Sequence, residues 1–90
     1  KAGLNALTVG LAEAYAPKVR ANAILPGAIA TDAASEWSES MLERVSAEVP
    51  AGRIGIADDF AGIAVWLASE ASSYVTGELM RVDGGRFRQT

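Results

Sequence analysis

Val19-Arg20-Ala21-Asn22-Ala23-Ile24-Leu25-Pro26-Gly27-Ala28-Ile29-Ala30-Thr31 is the stretch around which this 90-residue chain is organised. Its first half is a short apolar run with Arg20 and Asn22 near the start, and it predicts a buried strand over Val19–Leu25. Pro26-Gly27 then stops the strand, because proline brings no ladder donor and glycine permits turn dihedrals. The chain leaves the sheet at the strand's carboxyl end, where open α/β sheets place their ligands.

Before this stretch, Leu4, Leu7 and Leu11 recur at helical spacing with Thr8 and Ala14 beside them, predicting a helix over 1–16. Ala2, Ala6, Ala12 and Ala14 add helix propensity and small cross-sections. Tyr15-Ala16-Pro17 ends the helix, since the residue before proline is pushed out of the α region. The chain opens on Lys1, directly on this helix and without an initiator Met, so a fragment or a chain with an upstream part is expected.

After it, Trp37, Met41, Val45 and Val49 lie four apart with Leu42 beside them, and Ser35 is the expected cap of a helix within 32–49. One reading makes this a structural helix. The other, favoured by its place just after the strand-end turn, makes it a substrate lid with Trp37 and Met41 facing the ligand. Pro50–Gly55 is a turn-rich break. A helix over 57–69 follows, with Asp58 and Asp59 in its first turn and Phe60, Ile63, Ala64, Leu67 and Ala68 on one face. Val65 and Trp66 lie off that face, so the helix is either sandwiched or meets a partner subunit. Ser69–Thr76 reads as an irregular corner, and 78–83 as a last strand ended by Gly84-Gly85. This order implies α/β architecture, with two parallel strands joined by a right-handed crossover. Two such strands are incomplete as an isolated domain.

Composition narrows the chemistry. Half the residues are hydrophobic, so the material is globular, and the formal charge of -3 comes from scattered charges with no basic run for nucleic acid. Cys and His are both absent, which removes disulfides, thiol nucleophiles, imidazole bases and the commonest zinc ligands. There is no signal peptide and no apolar run long enough to span a bilayer, so no membrane partner and a cytoplasmic location are expected. No G-x-G-x-x-G, P-loop, metal-ligand spacing or catalytic triad is present.

Taken in order, several segments resemble the short-chain dehydrogenase/reductase family. They are Lys1-Ala2-Gly3-Leu4, Val19-Arg20-Ala21-Asn22-Ala23-Ile24 running into Pro26-Gly27-Ala28-Ile29-Ala30-Thr31, and Gly52-Arg53-Ile54-Gly55. Leu67-Ala68-Ser69, Tyr74-Val75-Thr76-Gly77 and Val82-Asp83-Gly84-Gly85 continue the match. The resemblance runs from end to end and is to the last part of the family's domain. It implies the C-terminal part of a Rossmann-type doubly wound parallel sheet and a single NAD(P)-binding domain over 1–90. The implied activity is an NAD- or NADP-dependent interconversion of a small-molecule alcohol and carbonyl, in a homo-oligomer that is expected to be a tetramer.

The family's Tyr-x-x-x-Lys motif falls so that Lys1 is its Lys and the Tyr lies four positions before the first residue. Residues i and i+4 share a helix face, so the ammonium would favour the phenolate of a group whose pKa starts near about 10. Tyr15 cannot substitute, lying about 21 Å along the helix at 1.5 Å per residue. The resemblance also makes Ile29 the residue whose main chain holds the nicotinamide amide. Pro26-Gly27 frees the peptide groups of Ala28 and Ile29 at the sheet edge, since a carboxamide needs one donor and one acceptor. Thr31 would give a hydroxyl to the same amide or to the pyrophosphate, and Asn22 has a structural role. Ile56-Ala57-Asp58-Asp59 lacks the family's polar cap and proline, so a weak start to the last long helix is expected. The tail after Gly85 has no assigned role. The rival readings are a catalytically inert fragment serving structure or oligomer assembly, and part of a 3-oxoacyl-carrier-protein reductase.

Overall fold

The computed structural model describes residues 2–30 and 36–86. The elements in order are α1 (Ala2–Tyr15), β1 (Ala23–Pro26), α2 (Glu39–Glu48), α3 (Asp58–Ala68), a 3-10 turn (Glu70–Ser72) and β2 (Leu79–Val82). They form two compact units, residues 1–25 with 62–80, and 26–61 with 81–90.

In the first unit, β1 pairs beside β2, with the Ala23 N–H donating to the Glu78 carbonyl at 2.9 Å. The strand is shorter than the predicted Val19–Leu25, and the residues before Ala23 show why. The Ala21 N–H donates to Thr76 Oγ1 at 3.1 Å, and the Ala21 carbonyl accepts from the Gly77 N–H at 2.7 Å, so both backbone groups are used outside the ladder. Arg20 reaches into the corner after α3: Nη1 donates to the Ser72 carbonyl, Ser72 Oγ and the Val75 carbonyl at 3.0, 3.0 and 3.2 Å, and Nη2 donates to the Ser69 carbonyl at 3.1 Å. Asn22 completes the tie, donating to the Val75 carbonyl and accepting from the Glu78 N–H. A guanidinium supplies several donors in a fixed fork, which suits it to gathering the carbonyls of an irregular corner.

The leucine stripe of α1 is not what this unit buries. Leu4 and Leu7 are exposed, at 61% and 55%, whereas Thr8 and Ala12 are buried. Ala12 sits 3.5 Å from where a Cβ on Gly77 would be, and Gly77 has φ +76. The small face of the helix therefore approaches the backbone, and the Thr8 hydroxyl is satisfied by donating to the Leu4 carbonyl at 2.9 Å.

In the second unit, the Gly27 N–H extends the parallel pairing by donating to the Val82 carbonyl at 3.1 Å. Pro26 is the last residue of β1 and donates nothing, as expected of a strand-terminating proline. The α2 helix begins at Glu39, capped by Ser38 Oγ accepting from the Met41 N–H at 3.2 Å. The predicted cap, Ser35, lies outside the described residues, and the helix starts too late to use it. Val49, four residues after Val45, is 5% exposed and packs against Gly84, and the Ala51 N–H donates to the Gly84 carbonyl at 2.9 Å. Val49 is thus a core residue of this unit. Arg86 Nη2 donates to Glu48 Oε2 at 2.8 Å, giving the first residue of the tail a partner at the end of α2.

Candidate functional site

The chemistry-bearing segment is Pro26–Ala30, the last residue of β1 and the four that follow it. Ile29 forms an isolated parallel bridge with Gly55. The Gly55 N–H donates to the Ala28 carbonyl at 2.9 Å, and the Ala30 N–H donates to the Gly55 carbonyl at 2.8 Å. In this register the flanking peptides carry the bridge, while the N–H and C=O of Ile29 point the other way. Neither has a protein partner among the described residues. A donor and an acceptor from one residue are therefore displayed side by side at the carboxyl end of the strand. The sequence expectation was that Ala28 and Ile29 would both be free. The Ala28 carbonyl is in fact occupied by Gly55, so the adjacent pair belongs to Ile29 alone.

Gly27 makes the approach possible. A Cβ there would lie 2.7 Å from Asp83 Cβ and 2.8 Å from Asp83 Cα, so only glycine lets the two strand ends lie this close. Asp83 is itself fixed, with Oδ1 accepting from the Gly85 N–H at 2.8 Å.

Behind the bridge, Arg53 and Asp59 form a two-pronged ion pair. Nη1 donates to Oδ2 and Nη2 to Oδ1, both at 2.7 Å. Asp59 Oδ2 also accepts from the Ile56 N–H at 2.7 Å. Asp59 reaches back three residues as the acid of a capping box does, which satisfies the Ile56 N–H, while Ile56 and Ala57 bring no polar side chain to cap the next N–H groups. The Arg53 guanidinium, and after it the Ile56 N–H, hold the Asp59 carboxyl well below the usual carboxylate range. The folded state therefore binds that proton more weakly than the unfolded chain. What the pair contributes is full above the ordinary carboxylate pKa of 3.8 and is lost as pH falls below it.

A pocket of ≈ 210 Å³ lies against Ala28, Gly55, Phe60 and Val82, beside Arg53 and Asp59. It is smaller than the clefts of about 300–1,000 Å³ that enclose drug-sized ligands, so the backbone edge at Ile29 is the candidate site rather than this pocket. Among the expected site residues, Pro26, Gly27 and Ile29 stand together at the end of β1 and just beyond it. Trp37 is half-buried just before the Ser38 cap, and Met41 is exposed on the first turn of α2. Lys1 and Thr31 lie outside the described residues. Reading the residues overlooked Gly55, Arg53 and Asp59 as parts of the site. The available signal was an Asp three residues after a turn-forming Gly-Ile pair and six after an Arg.

Residues 1–86 match the family described as Enoyl-(Acyl carrier protein) reductase. The chain belongs to the short-chain dehydrogenase/reductase family. Within that family, it is 48% identical over 90 residues to an L-rhamnose 1-dehydrogenase (NAD(P)(+)) of Azotobacter vinelandii, covering 97% of this chain and 35% of the relative. It is 41% identical over 88 residues to a 3-oxoacyl-[acyl-carrier-protein] reductase of Aquifex aeolicus, covering 97% of this chain and 36% of the relative. It is similar in structure to a short-chain dehydrogenase/reductase from Brucella melitensis, with a TM-score of 0.92 at 32% identity over 99% of this chain and 36% of that one. The short-chain dehydrogenase/reductase chain described here thus spans about a third of the length of the curated relatives it matches. Their Rossmann fold is the architecture to which the parallel β1–β2 pair and its helices belong.

Proposed function

We propose that this chain is the nicotinamide-holding part of an NAD(P)-dependent oxidoreductase that interconverts an alcohol and a carbonyl by hydride transfer. The observation that carries the reading is the N–H and C=O of Ile29, unpartnered among the described residues and fixed in direction by the bridge to Gly55. A nicotinamide carboxamide carries one acceptor oxygen and one donor NH₂, the complement of that peptide edge. Gripping the amide selects which face of the ring is presented, which hydride transfer requires. The bound cofactor supplies or accepts the hydride; the chain orients it. By family resemblance, Lys1 lowers the pKa of a Tyr acid/base and binds ribose hydroxyls, and Thr31 adds a hydroxyl near the amide.

The relatives named above act, by their names, on a sugar and on an acyl thioester at similar identity to this chain. That supports reading the shared third as the cofactor end, with Trp37 and Met41 as our candidates for substrate contacts. Residues 32–49 would form the lid that carries them. We also read α3 as a contact to a second copy in a tetramer, supported by Val65 at 69% exposure.

The test is Ile29→Pro in the parent enzyme. Proline deletes the Ile29 N–H, which no group among the described residues uses, so the fold should survive. NADH or NADPH binding should weaken by about 0.5–1.5 kcal/mol, the value of one hydrogen bond. Unchanged affinity in a folded variant would refute the clamp.

A further inference from the structure

We propose that the Arg53–Asp59 ion pair is the positioning device of the nicotinamide clamp, setting the direction of the Ile29 N–H and C=O through Gly55. The inference rests on the reading of Ile29 given above.

One carboxylate holds both ends of a four-residue turn. Asp59 grips Arg53 through both oxygens at 2.7 Å and the Ile56 N–H through Oδ2 at 2.7 Å. Gly55 lies between those two anchors, and its N–H and C=O are the groups that pair with Ala28 and Ala30 on either side of Ile29. The path is short at every step. A Cβ on Gly55 would stand 3.6 Å from Asp59 Oδ2, 3.4 Å from the Ala28 carbonyl oxygen and 3.3 Å from Ile29 Cγ2. A single methyl on Gly55 would thus touch all three groups, so Asp59 and Ile29 lie within a side chain's width of each other across Gly55.

Stability alone gives little reason for such a pair. The Arg53 side chain is 60% exposed, and exposed ion pairs contribute little to folding. What a two-pronged guanidinium–carboxylate contact supplies is direction. Direction is what a two-point grip on a carboxamide requires, because a hydrogen bond weakens steeply once its angle falls below about 120°. Arg53 and Asp59 touch no cofactor atom in this account. They act through Gly55.

The experiment compares, in the parent enzyme, the Kd of NADH and NADPH with that of ADP-ribose and 2′-phospho-ADP-ribose, which lack the nicotinamide. Wild type should bind the dinucleotide more tightly. Asp59→Asn should weaken the dinucleotide by roughly tenfold, leave the ADP-ribose ligand within about twofold, and be largely rescued by Asp59→Glu. Arg53→Lys keeps the charge but not the fork, and it carries the same expectation if Asp59→Asn fails to fold. Equal weakening of both ligands would make the pair merely structural and overturn the proposal, as would full discrimination retained in both variants. Wild-type enzyme that binds both ligands equally would instead overturn the Ile29 clamp itself, and the positioning role with it.

Discussion

The 90-residue chain on its own will transfer no hydride between NADH or NADPH and any alcohol or carbonyl. The proposed hydride transfer needs a general acid and a grip on the cofactor phosphates; by family resemblance the acid is a Tyr outside these 90 residues, and they contain no Gly-rich phosphate turn. Tyr15 and Tyr74 do not stand in for it, since Tyr15 ends α1 and Tyr74 is fully exposed on the corner before β2. General acid–base catalysis alone is worth about 10²–10⁴-fold. Without a cradle for the phosphates, the proposed Ile29 grip would have no remote binding energy to direct toward the transition state. Ala12 and Val49 are the only buried hydrophobic residues among those described, so the chain also brings a thin core of its own. Mixing it with either reduced cofactor and a panel of acyl thioesters and sugar ketones should give no change in cofactor absorbance above blank. Sustained turnover would contradict the account.

Replacing Gly27 or Gly84 by alanine in the parent enzyme should cost stability heavily, by about 2–3 kcal/mol or more each. At Gly27 the added methyl meets Asp83 Cα at 2.8 Å, a backbone atom that cannot swing aside, so the strand ends must part. At Gly84 the methyl meets Val49 Cγ1 at 2.6 Å, and φ is +64, so collision adds to the left-handed strain. Gly52 separates the two effects, having φ +84 but nothing within 4 Å of a new Cβ. Gly52→Ala should cost only about 1–2 kcal/mol. Chemical denaturation of the three variants checks the order, and a Gly27→Ala enzyme as stable as wild type would show that the Asp83 approach is not tight.

The order of elements and the Pro26 stop were legible because each follows from local chemistry: period, a missing donor, a turn pair. The residues alone marked Ala28 and Ile29 as equally free, and only the family resemblance singled out Ile29. Element ends were less so. Val19–Asn22 read as strand from its apolar residues, but Arg20 and Asn22 serve carbonyls roughly fifty residues away, and no local pattern shows those. The leucines of α1 marked a helix correctly, yet the buried side is Thr8 and Ala12, because close approach to Gly77 favours small side chains. Asp59 was visible as a first-turn acid favourable to the helix dipole. Its bond back to the Ile56 N–H and its fork with Arg53 depend on the Gly52–Gly55 turn, which composition marks but does not shape.

The most direct measurement is a crystal structure of the parent enzyme with NADH or NADPH bound. The account predicts that the carboxamide oxygen accepts from the Ile29 N–H and the carboxamide NH₂ donates to the Ile29 carbonyl, each within about 3.2 Å. A well-ordered nicotinamide whose carboxamide is held elsewhere, with the Ile29 peptide facing water or another protein group, would contradict it.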